Sequence, residues 1–132
     1  MRSSAPPAPA LAESAGVNIF DKTDEEILAL ARPLWLDLVK HSNEGKYGDF
    51  ARNFSSSLAR ALDQVAAGHQ FAHSELARNL SEDVDSLGII RRGEHVTVLY
   101  RQRSTKKPGE WLGRLVLGYE DGKLRIFGAS IF

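Results

Sequence analysis

The hydrophobic pattern changes period partway along the chain, and that change constrains the fold more than any other feature. Up to about residue 80, apolar residues recur at helical spacing; from Leu87 onward they alternate, as in a half-buried strand. Helices first and a run of strands after them is the order of an α+β domain, with helices on one side of an antiparallel sheet. A chain of 132 residues can bury one core and not two. The pattern predicts a single domain over residues 22–132, preceded by a Pro/Ala/Ser-rich segment over 1–21 that is disordered or extended.

The helical half opens at Thr23, whose side chain and Glu26 fit a capping box, with Asp24 and Glu25 favouring the positive helix end. Ile27, Leu30, Ala31, Leu34, Leu38 and Val39 then form an apolar stripe that Leu28 and Trp35 widen. Pro33 lacks an N–H and predicts a kink. The helix should stop at Asn43-Glu44-Gly45. Tyr47, Phe50, Ala51 and Phe54 mark a short second helix. Ser55 caps a third, with Leu58, Leu62 and Val65, ending near Gly68. A last helical segment is expected around 71–80, contributing Leu76 and Leu80.

In the strand half the turns set the register. Asp121-Gly122 is a two-residue hairpin signal, because a type I′ turn needs positive φ at both central positions. It places Glu120 opposite Lys123, Tyr119 opposite Leu124, Leu117 opposite Ile126 and Leu115 opposite Gly128. The reverse face then pairs Val116 with Phe127, Arg114 with Ala129 and Leu112 with Ile131. Upstream, a turn at Arg92-Gly93 sets Ile89 beside Val96 and Leu87 beside Val98. If Arg103 faces Glu110 across the loop 104–109, Tyr100 lies over Gly113, Val98 meets Leu115 and Val96 meets Leu117. These hairpins put Leu87, Ile89, Val96, Val98, Tyr100, Leu115, Leu117, Tyr119, Leu124 and Ile126 on one face, toward the helices. The expected sheet is a four-stranded antiparallel meander.

The other face carries Leu112, Arg114, Val116, Arg125, Phe127, Ala129 and Ile131, with Thr97, Leu99 and Arg101. An apolar patch rimmed by arginines has the composition of a protein–protein surface, and predicts a homodimer through this outer face.

Composition excludes several classes. There is no cysteine, so neither disulfides nor cysteine metal sites are available. No run approaches the roughly 18 apolar residues of a membrane span, so none is expected. Net charge is zero, but residues 1–86 carry 8 Lys/Arg against 13 Asp/Glu, and residues 87–132 carry 9 against 4. That split predicts an acidic helical layer beside a basic sheet. No aromatic–basic RNA motif or helix-turn-helix accompanies it, so no nucleic-acid partner is expected. The opening MRSSAPPAPALAESAGV has no apolar h-region, which predicts a cytoplasmic chain as written, exported if a leader precedes it.

The kinked first helix, the "EGKYGDF" link and the ending "KKPGEWLGRLVLGYEDGKLRIFGASIF" resemble the cystatin-like, nuclear-transport-factor-2-like superfamily over roughly residues 22–132. The last segment is similar to the terminal hairpin of small bacterial members of uncharacterised function. The resemblance implies a curved sheet that closes with the helices into a conical pocket, and a convex face that forms a dimer. Members include isomerases, dehydratases and hydrolases beside proteins without chemistry, so the fold does not carry a function with it.

Enzymes of the superfamily place an Asp, His or Tyr in the pocket. Asp49, Tyr47, Asp63, His69 and His73 are the residues available, and none falls in a specific catalytic motif; surface charge and packing are the simpler assignments. His69 and His73 stand at zinc-ligand spacing, yet no HExxH pattern or third ligand accompanies them, so no metal site is expected. Ser104-Thr105-Lys106-Lys107 lacks the glycine-rich helix entry of a phosphate loop and reads as a solvated hairpin. "GASIF" is not a nucleophile elbow. Trp35, Tyr47, Phe50, Phe54, Tyr100 and Trp111 are the residues that could line a cavity for a small apolar ligand. No cofactor is expected. The reading is a homodimeric binding or accessory module, with a cofactor-independent lyase or isomerase for small hydrophobic molecules as its alternative.

Overall fold

A computed structural model describes residues 18–61 and 74–132. The capping box forms as the sequence predicts: Glu26 N donates to Thr23 Oγ1 at 3.1 Å, and Thr23 N donates back to Glu26 Oε1 at 2.9 Å. It opens α1, Asp24–Glu44, which continues unbroken through Pro33 and ends where Gly45 adopts φ +70°. A single 3₁₀ turn at Ile19–Asp21 precedes it and buries Ile19. Two short helices follow, α2 at Tyr47–Phe50 and α3 at Ser56–Ala61. Ser55 caps α3 by accepting from Leu58 N at 3.1 Å. The helix expected around 71–80 is not formed by its described part. Ser74–Asn79 makes turns instead, and Leu80 bridges to Ser104. The positions 62, 65, 68 and 71 of that reading, like the segment before residue 18, lie outside the described residues.

Four strands follow, β1 Asp85–Arg92, β2 His95–Gln102, β3 Trp111–Glu120 and β4 Lys123–Ile131, in the order β1-β2-β3-β4 and antiparallel throughout. With helices packed on one side, the class is α+β, as expected. Helix α1 lays Ile27, Ala31, Trp35, Leu38 and Val39 onto Val96, Val98, Tyr100, Leu115, Leu117 and Ile126, all of them buried. The period-two alternation therefore sorts β2 cleanly into an inner row and an outer row.

The β2–β3 register is the one the sequence predicts, with Val96 opposite Leu117, Val98 opposite Leu115 and Tyr100 opposite Gly113. The other two pairings depart from prediction. In β1–β2 the turn is Gly93-Glu94, closing between Arg92 and His95, so Ile89 faces Val98 rather than Val96. Gly93 alone has positive φ there (62°), which suits the first central position of a type II′ turn and not the second. A shift of two keeps each residue on its face. A bulge between Ser86 and Gly88 then leaves Leu87 as the extra residue, 48% exposed instead of in the core.

The second bulge matters more. Asp121 and Gly122 turn with φ of 53° and 78°, and Glu120–Lys123, Tyr119–Leu124 and Leu117–Ile126 pair as expected. Phe127 is then inserted as an extra residue, so Val116 faces Gly128, Leu115 faces Ala129, Arg114 faces Ser130 and Gly113 faces Ile131. One residue of slip turns a strand over. Ala129 and Ile131, assigned to the outer face from the turn, sit on the inner face. The cause lies at the strand's free edge. Ser55 N donates to Ile126 O and Ile126 N to Asn53 O, both at 2.8 Å, which pins Ile126 against the α2–α3 link. Phe127 meanwhile lies edge-on to His95, ring centroids 4.5 Å apart, over the bare backbone of Gly118.

Candidate functional site

The two faces of the sheet offer two candidate surfaces. On the inner side, α1, α2, α3 and the end of β4 leave a cavity of about 420 Å³, within the range of small-molecule sites. Helix α1 supplies Trp35, Leu38, Val39 and Ser42; Tyr47 and Phe50 come from α2, and Phe54 from the link. Leu58 of α3 closes one side. Leu76, Ala77 and Leu80 cover another, and Ala129 and Ile131 form the floor from β4.

Each wall has a specific support. Trp35 stacks on Tyr100, centroids 5.3 Å apart, and donates through Nε1 to Gln102 Oε1 at 2.8 Å. Gln102 is fully buried, and its amide donates to Ser81 O and Arg103 O, so the indole is locked by a satisfied polar group. Gly113 is required beneath it, since a Cβ there would lie 2.6 Å from the ring. At the C-terminal end of α1, Ser42 Oγ donates to Ala77 O, and Asn43 holds both main-chain groups of Leu80 at 2.7 and 2.9 Å. Arg52 ties the α2–α3 link to α1 by donating to Asp37 at 2.9 Å, and the buried His41 sits 3.3 Å from the same carboxylate. Phe50 meets Phe54 edge-on at 5.6 Å.

Of the six aromatic residues expected at a pocket, Trp35, Tyr47, Phe50 and Phe54 line this one. Tyr100 lies behind Trp35, fully buried, with its hydroxyl unpartnered among the described residues and its pKa pushed up to about 12 by burial. Trp111 pairs with Gln102 at the start of β3 and is not part of the wall. Tyr47 is the titratable side chain among the described lining residues, and burial raises its pKa above the ordinary 10.0. Asp49 is exposed on α2. Asp63, His69 and His73 lie outside the described residues; within them, no group of His, Cys, Asp and Glu is arranged to hold a metal ion. Ser104 accepts from Lys106 N and Lys107 N in an exposed turn, as a solvated loop does. No described helix is long and apolar enough to cross a membrane.

Sequence reasoning missed Ser42, Asn43 and the β4 floor. Two polar residues continuing the apolar stripe of α1, four positions beyond Leu38 and Val39, were the available signal for the first two. The bulge left no such mark.

The outer side holds Leu112, Arg114, Val116, Arg125, Phe127, Thr97 and Leu99 as expected, joined by Ile90, Arg92 and His95; Ile90, Arg92, His95, Thr97, Leu99, Arg114, Val116 and Phe127 line a shallow groove. Arg101 and Arg103 pair with Asp85 at 3.3 and 2.8 Å, and Arg101 also reaches Glu110. Those guanidinium groups, Arg103 foremost, hold the Asp85 carboxyl below its ordinary range. Arg92, Arg114 and Arg125 make no ion pair with any described residue; Arg114 lies over the Phe132 ring at 5.6 Å. No family model matches the chain, and no curated protein matches it significantly.

Proposed function

We propose that this chain is a small homodimeric binding module of the nuclear-transport-factor-2-like kind, holding a small apolar molecule between its helices and the inner face of its sheet. The observation that carries the reading is the cavity of about 420 Å³ whose wall is mainly aromatic and aliphatic, with the Ser42 hydroxyl already donating to the backbone of Ala77. Such a wall rewards burial of apolar surface, on the order of 25 cal/mol per Å², and selects against charge.

The lyase or isomerase reading needs an acid or base with a pKa near the working pH. Tyr47, the titratable group among the described lining residues, is displaced upward, away from neutrality. Binding is therefore the better-supported class. The test is mass spectrometry of an organic extract of the purified protein, together with titration by a neutral solvatochromic dye. Ala129→Trp should fill the floor and abolish dye binding while leaving the protein folded. Equal binding by wild type and Ala129→Trp would remove the pocket as the site.

A further inference from the structure

The two edges of the sheet are treated differently. The β4 edge is occupied at Ile126 by main-chain bonds from Asn53 and Ser55. The outer edge of β1 receives no main-chain hydrogen bond from any described residue beyond its partner β2. Along it stand Leu87 and Ile90, each 48% exposed, with no lysine or proline from Asp85 to Ile90 to discourage pairing. A bare, apolar edge strand is a template for another strand.

The order of residues on that strand identifies the occupant. Pairing with β2 puts Asp85, Gly88, Ile90 and Arg92 on the outer face, opposite Arg101, Leu99, Thr97 and His95. Ser86, Ile89 and Arg91 take the inner face, and Leu87 is the extra residue of the bulge. Two antiparallel copies related by a two-fold axis through Ile89 must pair residues of like face. The outer row then reads Asp85 against Arg92, Gly88 against Ile90, and the same two pairs again in reverse. Each end gains opposite charges, and each Ile90 meets the side of a Gly88 where a Cβ would touch nothing within 4 Å. Arg92 makes no ion pair among the described residues, and Asp85 remains 46% exposed beside Arg101 and Arg103.

We infer that β1 is a self-complementary docking edge whose occupant is the β1 strand of a second copy, joining two sheets into one of eight strands. This rests on the homodimer reading and moves its contact from the middle of the outer face to the edge. Stacking outer faces would bring the Arg92 and Arg114 guanidinium groups of one groove against those of the other, with no acidic side chain among the groove's described lining residues to offset them.

The test is sedimentation at tens of micromolar. Wild type should run as a dimer. Arg92→Glu alone, which sets a second carboxylate against Asp85 at each end, and Asp85→Lys alone should each run as folded monomers. Mixing the two should restore a dimer, because the Arg92→Glu chain keeps Asp85 for the other chain's Arg92, and both ends become complementary. Leu87→Lys, at a half-exposed bulge residue, is the second route to a monomer should Asp85→Lys prove unfolded by circular dichroism. A wild-type dimer that persists in Arg92→Glu and Leu87→Lys but is lost in Phe127→Glu overturns the edge contact and leaves the homodimer standing. A mixture that stays monomeric overturns the register. A wild-type monomer overturns both.

Discussion

The inner and outer faces of this sheet are drawn from the same strands, residue by residue, yet they answer to different forces. On β2, Val96, Val98 and Tyr100 are wholly buried, while Thr97 and Leu99 between them are partly exposed. The inner row is fixed by volume: Trp35 rests on Tyr100 and leaves no room for a Cβ at Gly113. The outer row is fixed by little beyond strand pairing and a few ring and ion contacts. Position along a strand therefore says less about the cost of a substitution than does the parity of that position.

The largest expected effect is on the inner row. Leu117→Ala removes a fully buried side chain and should destabilise by about 2–5 kcal/mol in denaturant unfolding. Thr97→Ala on the outer row of the neighbouring strand should stay within about 0.5 kcal/mol. Equal losses would mean that the two faces are not energetically distinct.

Two glycines of β3 sharpen the same contrast. A Cβ at Gly113 would lie 2.6 Å from the Trp35 indole, which cannot retreat without losing Tyr100 and the Gln102 bond. A Cβ at Gly118 would lie 2.7 Å from the His95 ring and 3.1 Å from the Phe127 ring, both partly exposed side chains that can swing away. Gly113→Ala should therefore cost about 1–3 kcal/mol, as overpacking does, and quench or shift the Trp35 fluorescence. Gly118→Ala should cost less than half as much. The reverse order would place the rigid layer on the wrong side of the sheet.

How far the sequence revealed this depends on whether a constraint is local. The capping box, the Gly45 stop, the Asp121-Gly122 turn and the whole β2–β3 register depend on residues a few positions apart or on simple alternation, and all were legible. The two bulges were not. The one at Phe127 depends on the α2–α3 link, more than 70 residues upstream, bonding to Ile126, and on a bare patch at Gly118 that receives a ring. Counting outward from a turn carries no information about either. The same limit applied to the site: Trp35, Tyr47, Phe50 and Phe54 were recognisable as aromatic residues on a helical stripe, whereas Ala129 and Ile131 were assigned to the opposite face. Tyr100 and Trp111 were grouped with the pocket by residue type, and only the register separates them from it.

The bulge gives the smallest but most specific prediction, because it exchanges the roles of two residues. Counting without it puts Leu112 and Ile131 side by side on the outer face, where truncating either should have the same modest effect. With Phe127 inserted, Ile131 faces Gly113 and packs toward the core and the cavity, while Leu112 exchanges main-chain bonds with Phe132 and is 38% exposed. Ile131→Ala should then cost about 1–2 kcal/mol, below the range for a fully buried isoleucine because the site is only partly covered. Leu112→Ala should cost about half a kcal/mol or less. The pocket adds a readout that stability alone lacks. Ile131→Ala enlarges the floor and should alter binding of a neutral apolar dye, whereas Leu112→Ala should leave it unchanged. If the two variants match in both stability and dye binding, Phe127 is not inserted, Ala129 and Ile131 return to the outer face, and the floor assigned to the pocket is lost with them.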